Sequence, residues 1–438
     1  MEPISVSAIK ARLNHFSENR RIELTRLVYE IAKRENVHPN VLLKEIDFRR
    51  HFSQIKAELI RRRFPFYASQ AREQHILPEI DIRPNCAVNL NMPRTFLPEK
   101  FCVEDRVYDS PFTKNQRKKF PRIKKKKISS YQRVCGSPRD EVERYNRRYH
   151  TVYVVKEEFD FFKACPCSLK TVSCGYHNVN LGSGCAFDCT YCCLQGYINS
   201  PGIVLPANLE DFFEKFKQYK QDIRIGSGEL TDSLLYDHIT EYSPRIVEFF
   251  RHYPRSVFEF KTKSDHIENL LKVQAASNVV VAWSLNPQIM IDQNEFYTAP
   301  LERRLQAAQT CADQGYSVGF HFDPMIFYDD WKRDYLEVVD AVFERISPGS
   351  IAWISLGSLR LTVNMKKIME NRFPRNSILD GELLTGYDKK FRYPKEIRIE
   401  MYRTILAAIK KYAKDIYVYL CMEEKEVCEA CQAAPLIR

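Results

Sequence analysis

Short apolar runs alternate with longer amphipathic stretches over most of the chain, and the pattern repeats about every 30 residues. The apolar runs predict strands at 179–183, 222–226, 257–261, 279–285, 317–322 and 351–356, with a last strand at 416–420. The stretches between them predict helices near 207–220, 233–252, 265–276, 299–315, 329–346 and 396–413. This alternation is typical of right-handed βαβ units around a parallel sheet. Six such units predict an α/β fold built as a partial (β/α)6 barrel.

The chain before this repeat has a different pattern. Apolar residues at helical spacing predict a small basic helical module at 1–67, and the proline-containing stretch 68–98 reads as a linker. A basic entry segment, 99–178, then leads into the barrel at 179–421, and a cysteine-bearing tail occupies 422–438. We therefore expect a helical module, an entry segment and one large barrel.

Charge is distributed very unevenly. The net charge is +11, yet residues 1–150 hold 33 Lys/Arg against 18 Asp/Glu, which is +15 and leaves −4 for the rest. Nine of these cations and no acid lie between Lys114 and Lys127. Such a run predicts a polyanion partner, with nucleic acid and specifically DNA as the expected one, although solvated surface lysines would give the same pattern.

No stretch approaches the roughly 20 apolar residues that span a bilayer, so we expect no membrane partner. Fourteen cysteines in such a chain favour metal ligation in a reducing compartment, and the cytoplasm is the expected location. The sequence leaves the oligomeric state open.

Four of the cysteines lie within Gly184–Cys193, and three of them follow a Cys-x3-Cys-x2-Cys spacing: Cys185, Cys189 and Cys192. A short loop with this spacing can bind three irons of a [4Fe-4S] cluster and leave the fourth iron open for chemistry. A structural zinc site is the alternative, but zinc usually draws on two separated cysteine pairs. The groups Cys165/Cys167/Cys174 and Cys421/Cys428/Cys431 could bind a further metal or be core residues.

This cysteine loop resembles that of the radical S-adenosylmethionine enzymes, and the residues at 179–183 and 194–197 narrow the resemblance to the spore photoproduct lyase-like family. The resemblance covers about residues 101–421. It implies a radical enzyme that repairs a DNA photoproduct through a 5′-deoxyadenosyl radical. Its cofactors would be a [4Fe-4S] cluster and S-adenosylmethionine, and a flavodoxin or ferredoxin would serve as electron donor.

The resemblance also places cofactor contacts at the ends of successive strands. Glycines and a carboxylate follow the second strand, with a hydroxyl nearby, and polar residues end the third and fourth strands. The expected cofactor-binding residues are Gly226, Gly228, Glu229, Thr231, Lys263, Ser284 and Asn286. In barrels the chemistry collects at these strand ends, although such residues can instead cap helices or anchor loops.

Substrate contacts are expected from His321 and from the basic residues Arg360, Lys366 and Lys367. A histidine in this position could equally be a hydrogen-bonded core residue, and the basic residues could be a solvated helix start.

The chain departs from the family at two positions. Where the lyase has a cysteine that returns a hydrogen atom to the product radical, this chain has Glu229, and a carboxylate does not donate hydrogen atoms readily. Where the lyase has a tyrosine after the third cluster cysteine, it has Cys193, while Tyr191 is retained. We therefore interpret Cys193 and Tyr191 as candidate catalytic residues. A radical enzyme with a non-DNA substrate, or an iron-sulfur sensor that binds nucleic acid, remain alternatives.

Overall fold

The computed structural model describes residues 5–72, 79–83, 86–88, 90, 96–134, 141–159, 163–167, 171–198, 200–219 and 221–433. The chain divides into two compact units. Unit 1 comprises residues 1–88, 326–328 and 358–398, and unit 2 comprises 89–325, 329–357 and 399–438. Within the described ranges, no helix is long and apolar enough to cross a membrane.

The elements are numbered in chain order. The helices are α1 Val6–Arg12, α2 Glu18–Glu35, α3 Pro39–Glu45, α4 Phe52–Arg63, α5 Ala68–Arg72, α6 Pro111–Lys119, α7 Glu141–Asn146, α8 Leu194–Tyr197, α9 Leu209–Lys217, α10 Asp237–Thr240, α11 Tyr242–Phe250, α12 Gln288–Asn294, α13 Leu301–Asp313, α14 Trp331–Arg345, α15 Val363–Arg372, α16 Lys395–Tyr412 and α17 Lys425–Ala430. The strands are β1 Lys100–Glu104, β2 Lys124–Ile128, β3 Thr151–Val155, β4 Lys163–Ala164, β5 Tyr176–Asn178, β6 Asp188–Cys189, β7 Ile203–Pro206, β8 Arg224–Ser227, β9 Val257–Thr262, β10 Val279–Ser284, β11 Glu295–Phe296, β12 Ser317–Met325, β13 Ile351–Ser358, β14 Arg360–Leu361, β15 Leu384–Thr385, β16 Phe391–Arg392 and β17 Val418–Leu420.

The main sheet of unit 2 has eight strands in the order β17-β13-β12-β10-β9-β8-β5-β4. Parallel pairing joins β5 to β8, β8 to β9, β9 to β10, and β10 to β12. The apolar runs on these strands are buried on both faces, as a parallel sheet covered by helices requires. The sheet confirms the predicted partial barrel.

A second, four-stranded sheet lies in the same unit, with the order β2-β1-β3-β7. Its apolar side chains share one core with the cysteine loop, in which Phe101, Val152 and Ile203 pack with Ala186 and Phe187. The sheet therefore forms one wall against which the loop is held. The basic run Lys124–Lys127 is part of β2, at the edge of this sheet.

Two predicted elements of the barrel are wrong. The first strand is β5, which ends at Asn178, and the predicted strand at 179–183 is a buried connection whose Ser183 N–H bonds the Val204 carbonyl at 2.9 Å. Its apolar residues Val179 and Leu181 are buried, and a short apolar run does not distinguish such a connection from a strand. The predicted helix at 265–276 contains only the 3-10 turn Leu270–Lys272.

The predicted domain boundaries also differ from the structure. The first helices do not form a module of their own, because residues 358–398, expected inside the barrel, share unit 1 with them. Buried charges explain the association: Glu30 of α2 accepts from Arg63 of α4 at 2.8 Å and from Lys366 of α15 at 2.6 Å. Sequence periodicity does not indicate which distant segment will neutralise such a buried carboxylate.

Candidate radical S-adenosylmethionine site

The cysteine loop follows β5 and carries three closely grouped thiols. Cys185 and Cys189 are buried, and Cys192 is partly buried. The loop is fixed along one edge because β6 pairs antiparallel with β11, which places Cys189 opposite Glu295. Thr190 adds two bonds to Asn294, from its N–H at 2.8 Å and from its hydroxyl at 2.9 Å. A loop held this way can present its thiols in a fixed arrangement.

Arg148 supports the loop by hydrogen bonding to its backbone. Its guanidinium is fully buried and donates to the carbonyls of Cys185 at 2.5 Å and Phe187 at 2.6 Å. It also pairs with the buried carboxylate of Asp188 at 3.0 Å. The planar guanidinium suits this arrangement because it directs several N–H donors at once.

Gln195 supports the other end of the loop. Its side-chain amide donates to the carbonyls of Cys189 at 3.1 Å, Thr190 at 2.9 Å and Cys192 at 3.1 Å. Arg148 and Gln195 therefore satisfy the loop carbonyls without occupying the thiols. The sequence contained no signal for Arg148, which lies 37 residues before the first ligand.

Burial raises the pKa of the Cys185, Cys189 and Cys192 thiols, while the Phe187 and Leu194 backbone N–H groups act in the opposite direction on Cys185 and Cys192. An N–H group directed at sulfur favours the thiolate, which is the form that ligates metals.

No group of three or more His, Cys, Asp or Glu side chains in the described part of the chain is arranged to hold one metal ion. The three ligands of a [4Fe-4S] cluster bind three different irons, so they need not converge on one point. Three thiols on one short loop are the donor set that such a cluster takes, with its fourth iron left open.

Next to the loop lies a buried polar network centred on Glu295. It accepts from Tyr191 and from Asn286, the latter at 2.8 Å, and it pairs with Arg304 at 2.6 Å. Burial alone would raise the pKa of Glu295, but Arg304 and Lys263 outweigh it and lower that pKa to about 2. Glu295 and Arg304 were not predicted as site residues, because nothing in the sequence connects them to the loop.

The predicted cofactor residues of the third and fourth strands lie at this network. Lys263 is close enough to Cys189 and Cys192 for its charge to act on both thiols, and its ammonium is 5.9 Å from the centroid of the Tyr191 ring. The Ser284 carbonyl accepts from Arg304 at 2.8 Å. Asn286 is buried, and its amide oxygen accepts from Tyr335 at 2.6 Å. Their role as cofactor contacts remains a prediction.

The glycines at the end of β8, the second strand of the barrel, are required by packing. A side chain at Gly226 would collide with the Tyr176 hydroxyl and the Glu259 carbonyl, and Gly228 has a positive φ of 106° with Lys261 beside it. Thr231 donates to the Gly184 carbonyl at 2.8 Å, which ties the end of this strand to the cysteine loop. The segment after β8 is thus hydrogen-bonded to the cysteine loop.

Glu229 stands between these glycines and Thr231 and is partly buried. Burial raises the pKa of its carboxyl group, and the nearby Lys261 opposes this. Cys193 is exposed at the start of α8, directly after the third cysteine of the loop. Their predicted functions as cofactor contact and catalytic thiol are not tested by these positions.

His321, a predicted substrate contact, is hydrogen-bonded inside the barrel, and its contact with substrate stays a prediction. Its Nε2 is 2.6 Å from the Glu259 carboxylate and its Nδ1 bonds Ser355 at 2.5 Å. Glu259 also accepts from Arg224 at 2.9 Å and from Trp353 at 3.2 Å. Both ring nitrogens of the buried His321 are therefore occupied, as in the alternative of a hydrogen-bonded core histidine.

The predicted substrate contact of Lys366 is likewise untested. Its side chain is 5% exposed and its ammonium pairs with Glu30, so in this structure it neutralises a buried charge in unit 1. Arg360 and Lys367, in the same unit, are partly exposed and keep their predicted role as substrate contacts.

Comparison with known proteins agrees with this geometry. The family model of spore photoproduct lyase matches residues 96–424. Curated spore photoproduct lyases from a Geobacillus species and from Clostridium acetobutylicum are 25% and 27% identical to the chain. The matches span 65% and 60% of this chain and 85% and 79% of those proteins.

Solved structures share the fold. A spore photoproduct lyase complexed with dinucleoside spore photoproduct has a TM-score of 0.65 at 23% identity, covering 75% of this chain and all of that one. A mutant with bound S-adenosylmethionine and the same dinucleoside has a TM-score of 0.64 at 22% identity, covering 76% of this chain and all of that one. Since the family model spans three quarters of the sequence, the chain belongs to the spore photoproduct lyase family of radical S-adenosylmethionine enzymes.

Proposed function

We propose that this protein repairs a photoproduct in DNA, using a [4Fe-4S] cluster and S-adenosylmethionine. The observation that carries the proposal is the cysteine loop, in which Cys185, Cys189 and Cys192 are grouped while Arg148 and Gln195 satisfy the backbone carbonyls. The relatives named for this reaction supply the reaction class.

In this proposal the three loop thiolates ligate the cluster. When bound and reduced, the cluster and S-adenosylmethionine together supply a 5′-deoxyadenosyl radical. Lys263 offers its positive charge to the cofactor's carboxylate, and Ser284 and Asn286 lie at the adjacent strand end. Tyr191 is oriented by Glu295 and packs near the same ammonium group. The buried network thereby holds Tyr191 and Lys263 in place beside the cysteine loop, where the cofactors would bind.

A reduced cluster needs a one-electron donor, and we propose a flavodoxin or ferredoxin for this task. The fourteen cysteines and the reducing chemistry favour the cytoplasm as the place of action.

The DNA part of the proposal is supported by β2. Lys124 and Lys126 are exposed on this edge strand, and no acidic residue lies between Lys114 and Lys127. Lysines on an edge strand can also prevent pairing with other strands. Replacing Lys124 and Lys126 with Glu should reduce the slope of log affinity against log salt by about 1.8, because each phosphate contact contributes about 0.9. The matched control is a double Glu replacement of the exposed Lys410 and Lys411 at the end of α16.

A second candidate is a radical enzyme with a non-DNA substrate. Glu229 favours it, because this residue stands where the resemblance places the hydrogen-donating cysteine. Unchanged DNA affinity after the Lys124 and Lys126 replacements would support this second candidate.

The proposal is tested by measuring 5′-deoxyadenosine with anaerobically reconstituted, chemically reduced protein. Irradiated DNA, unirradiated DNA and no DNA are compared in parallel. We expect irradiated DNA to stimulate formation. Equal 5′-deoxyadenosine formation under all three conditions would refute the photoproduct as substrate. No 5′-deoxyadenosine from protein with a full cluster would refute the assignment as a radical enzyme.

A further inference from the structure

The proposed reaction ends when a product radical receives a hydrogen atom, and the thiol expected at position 229 is a carboxylate here. Another group must therefore supply that hydrogen atom. The inference below rests on the proposed function and concerns this last step only.

The edge of the barrel next to β5 carries a second cysteine pair. Strand β4 pairs antiparallel with β5, with Lys163 opposite Asn178 and Ala164 opposite His177. The Cys165 N–H continues the ladder by donating to the Tyr176 carbonyl at 2.7 Å. Directly opposed residues of an antiparallel pair place their side chains on the same face of the sheet. Cys165 and Tyr176 therefore share a face.

That face is the inner face of the barrel. Tyr176 is buried, its hydroxyl donates to the Ser227 carbonyl at 3.4 Å, and the Lys261 ammonium lies 3.9 Å from the centroid of its ring. Ser227 is two residues before Glu229. The β4–β5 ladder thus brings a thiol toward the end of β8. The resemblance places the missing cysteine at that strand end.

The surroundings of Cys165 agree with this placement. The charges of Lys261 and Glu229 both act on its sulfur, and its thiol shares a hydrogen bond with Cys167. That hydrogen bond and burial raise the pKa of the Cys165 thiol. A thiol that keeps its proton has an S–H bond to give.

We propose that Cys165, positioned by Cys167 on the inner face of the barrel, donates the hydrogen atom to the product radical in place of a cysteine at position 229. The S–H bond of Cys165 breaks and a C–H bond forms on the product, which becomes closed-shell. The thiyl radical left on Cys165 takes one electron from the low-potential donor that reduces the cluster, and one proton from solvent. Both cysteines are partly exposed, so solvent protons reach them.

Cys193 is the competing donor. It directly follows the third cluster ligand, but it is exposed at the start of α8. The two cysteines can be separated because they lie on different elements, the β4–β5 edge and the cysteine loop.

The test uses the full-length holoenzyme in D2O with irradiated DNA, since an S–H group exchanges with solvent and then delivers deuterium. Wild type is compared with Cys165→Ser, Cys167→Ser, Cys193→Ser and the matched control Cys311→Ser, whose thiol is buried in α13. For each protein we measure iron content, 5′-deoxyadenosine, repaired base and deuterium in that base.

We expect Cys165→Ser to retain its iron and its 5′-deoxyadenosine formation while repaired base carrying deuterium falls at least 10-fold. Cys167→Ser should give a partial loss, and Cys311→Ser should match wild type. The double variant Cys165→Ser/Glu229→Cys should recover deuterium transfer per 5′-deoxyadenosine formed, because it returns a thiol to the end of β8. This recovery also separates a missing donor from a misfolded barrel.

Unchanged deuterium transfer in Cys165→Ser, or a loss confined to Cys193→Ser, would overturn the donor assignment and leave the proposed function intact. If wild type forms no 5′-deoxyadenosine with irradiated DNA, the proposed function is refuted. The donor assignment, which rests on that function, is then refuted as well.

Discussion

The cysteine loop and the interior of the barrel are both built from buried polar groups, but they use them differently. In the loop, Arg148 and Gln195 bond mainly to backbone carbonyls, so the thiols remain available for ligation. In the interior, Arg224 and His321 both bond to the buried carboxylate of Glu259. The loop residues hold the backbone around the thiols, whereas the interior residues pair their side-chain charges with one another.

The difference separates the two halves of the proposed reaction. The loop that would hold the radical-generating cofactors carries its three predicted ligands on a hydrogen-bonded backbone. Glu229 stands where the resemblance places the hydrogen-donating thiol, and our proposal gives that task to Cys165 on the β4–β5 edge. In this proposal, radical generation and radical quenching depend on different elements of one barrel.

The largest effect is expected from removing a loop thiol. Cys189→Ala should lower 5′-deoxyadenosine formation by more than about 100-fold, because even supporting residues of metal sites cost 10- to 100-fold. Iron content per chain is measured alongside turnover. Full 5′-deoxyadenosine formation by Cys189→Ala, despite a lower iron content, would contradict the assignment of the loop as the cluster site. Cys311→Ala, a buried cysteine in α13, is the control.

The bonds that Arg148 makes to the loop should contribute to the free energy of unfolding. Arg148→Met leaves the buried Asp188 without its cation, so we expect the free energy of unfolding to fall by about 3–5 kcal/mol. Denaturant unfolding of the cluster-free protein measures this without the metal contribution. Arg147→Met removes an exposed cation from the same turn and should change stability by less than about 0.5 kcal/mol. Equal effects of the two would contradict the role given to Arg148.

Lys263 should affect S-adenosylmethionine binding more than it affects iron binding. Lys263→Met removes a charge-assisted contact of about 1.5–3 kcal/mol, so Kd for S-adenosylmethionine should rise roughly 10- to 150-fold. Calorimetric titration of the reconstituted protein gives Kd. Iron content should remain at the wild-type level, and a parallel loss of iron would mean that Lys263 instead supports the loop.

The smallest effect is a pH dependence of the interior. Burial lowers the pKa of His321 from its ordinary 6.5, against the opposing effect of Glu259. The unfolded chain therefore binds the extra proton first as pH falls below that value, and the free energy of unfolding decreases there. His321→Gln should flatten this part of the profile, while His252→Gln, at an exposed position, should leave it unchanged. An unchanged profile in His321→Gln would show that the interior network is not proton-sensitive.

Local sequence patterns predicted what depends on local sequence. The spacing of Cys185, Cys189 and Cys192 identified the loop, and the apolar runs located β8, β9, β10, β12 and β13 to within a few residues. Strands and short ligand loops are determined by neighbouring residues, so they can be read from the chain directly.

The remaining features depend on contacts between distant residues. Glu30 and Lys366 pair across 336 positions, and Tyr191 meets Glu295 across 104. A lone basic or acidic residue looks the same in sequence whether it faces solvent or a buried partner. For the same reason Cys165 could not be assigned until the β4–β5 ladder placed it beside Tyr176.

The most direct test of the account is conversion of dinucleoside spore photoproduct by the reduced, cluster-loaded protein. Loss of the photoproduct, appearance of the undamaged bases and 5′-deoxyadenosine are followed together by mass spectrometry. We predict conversion accompanied by 5′-deoxyadenosine, which requires both the loop and a working hydrogen donor despite Glu229. Formation of 5′-deoxyadenosine with no conversion of the photoproduct, free or within DNA, would contradict the account.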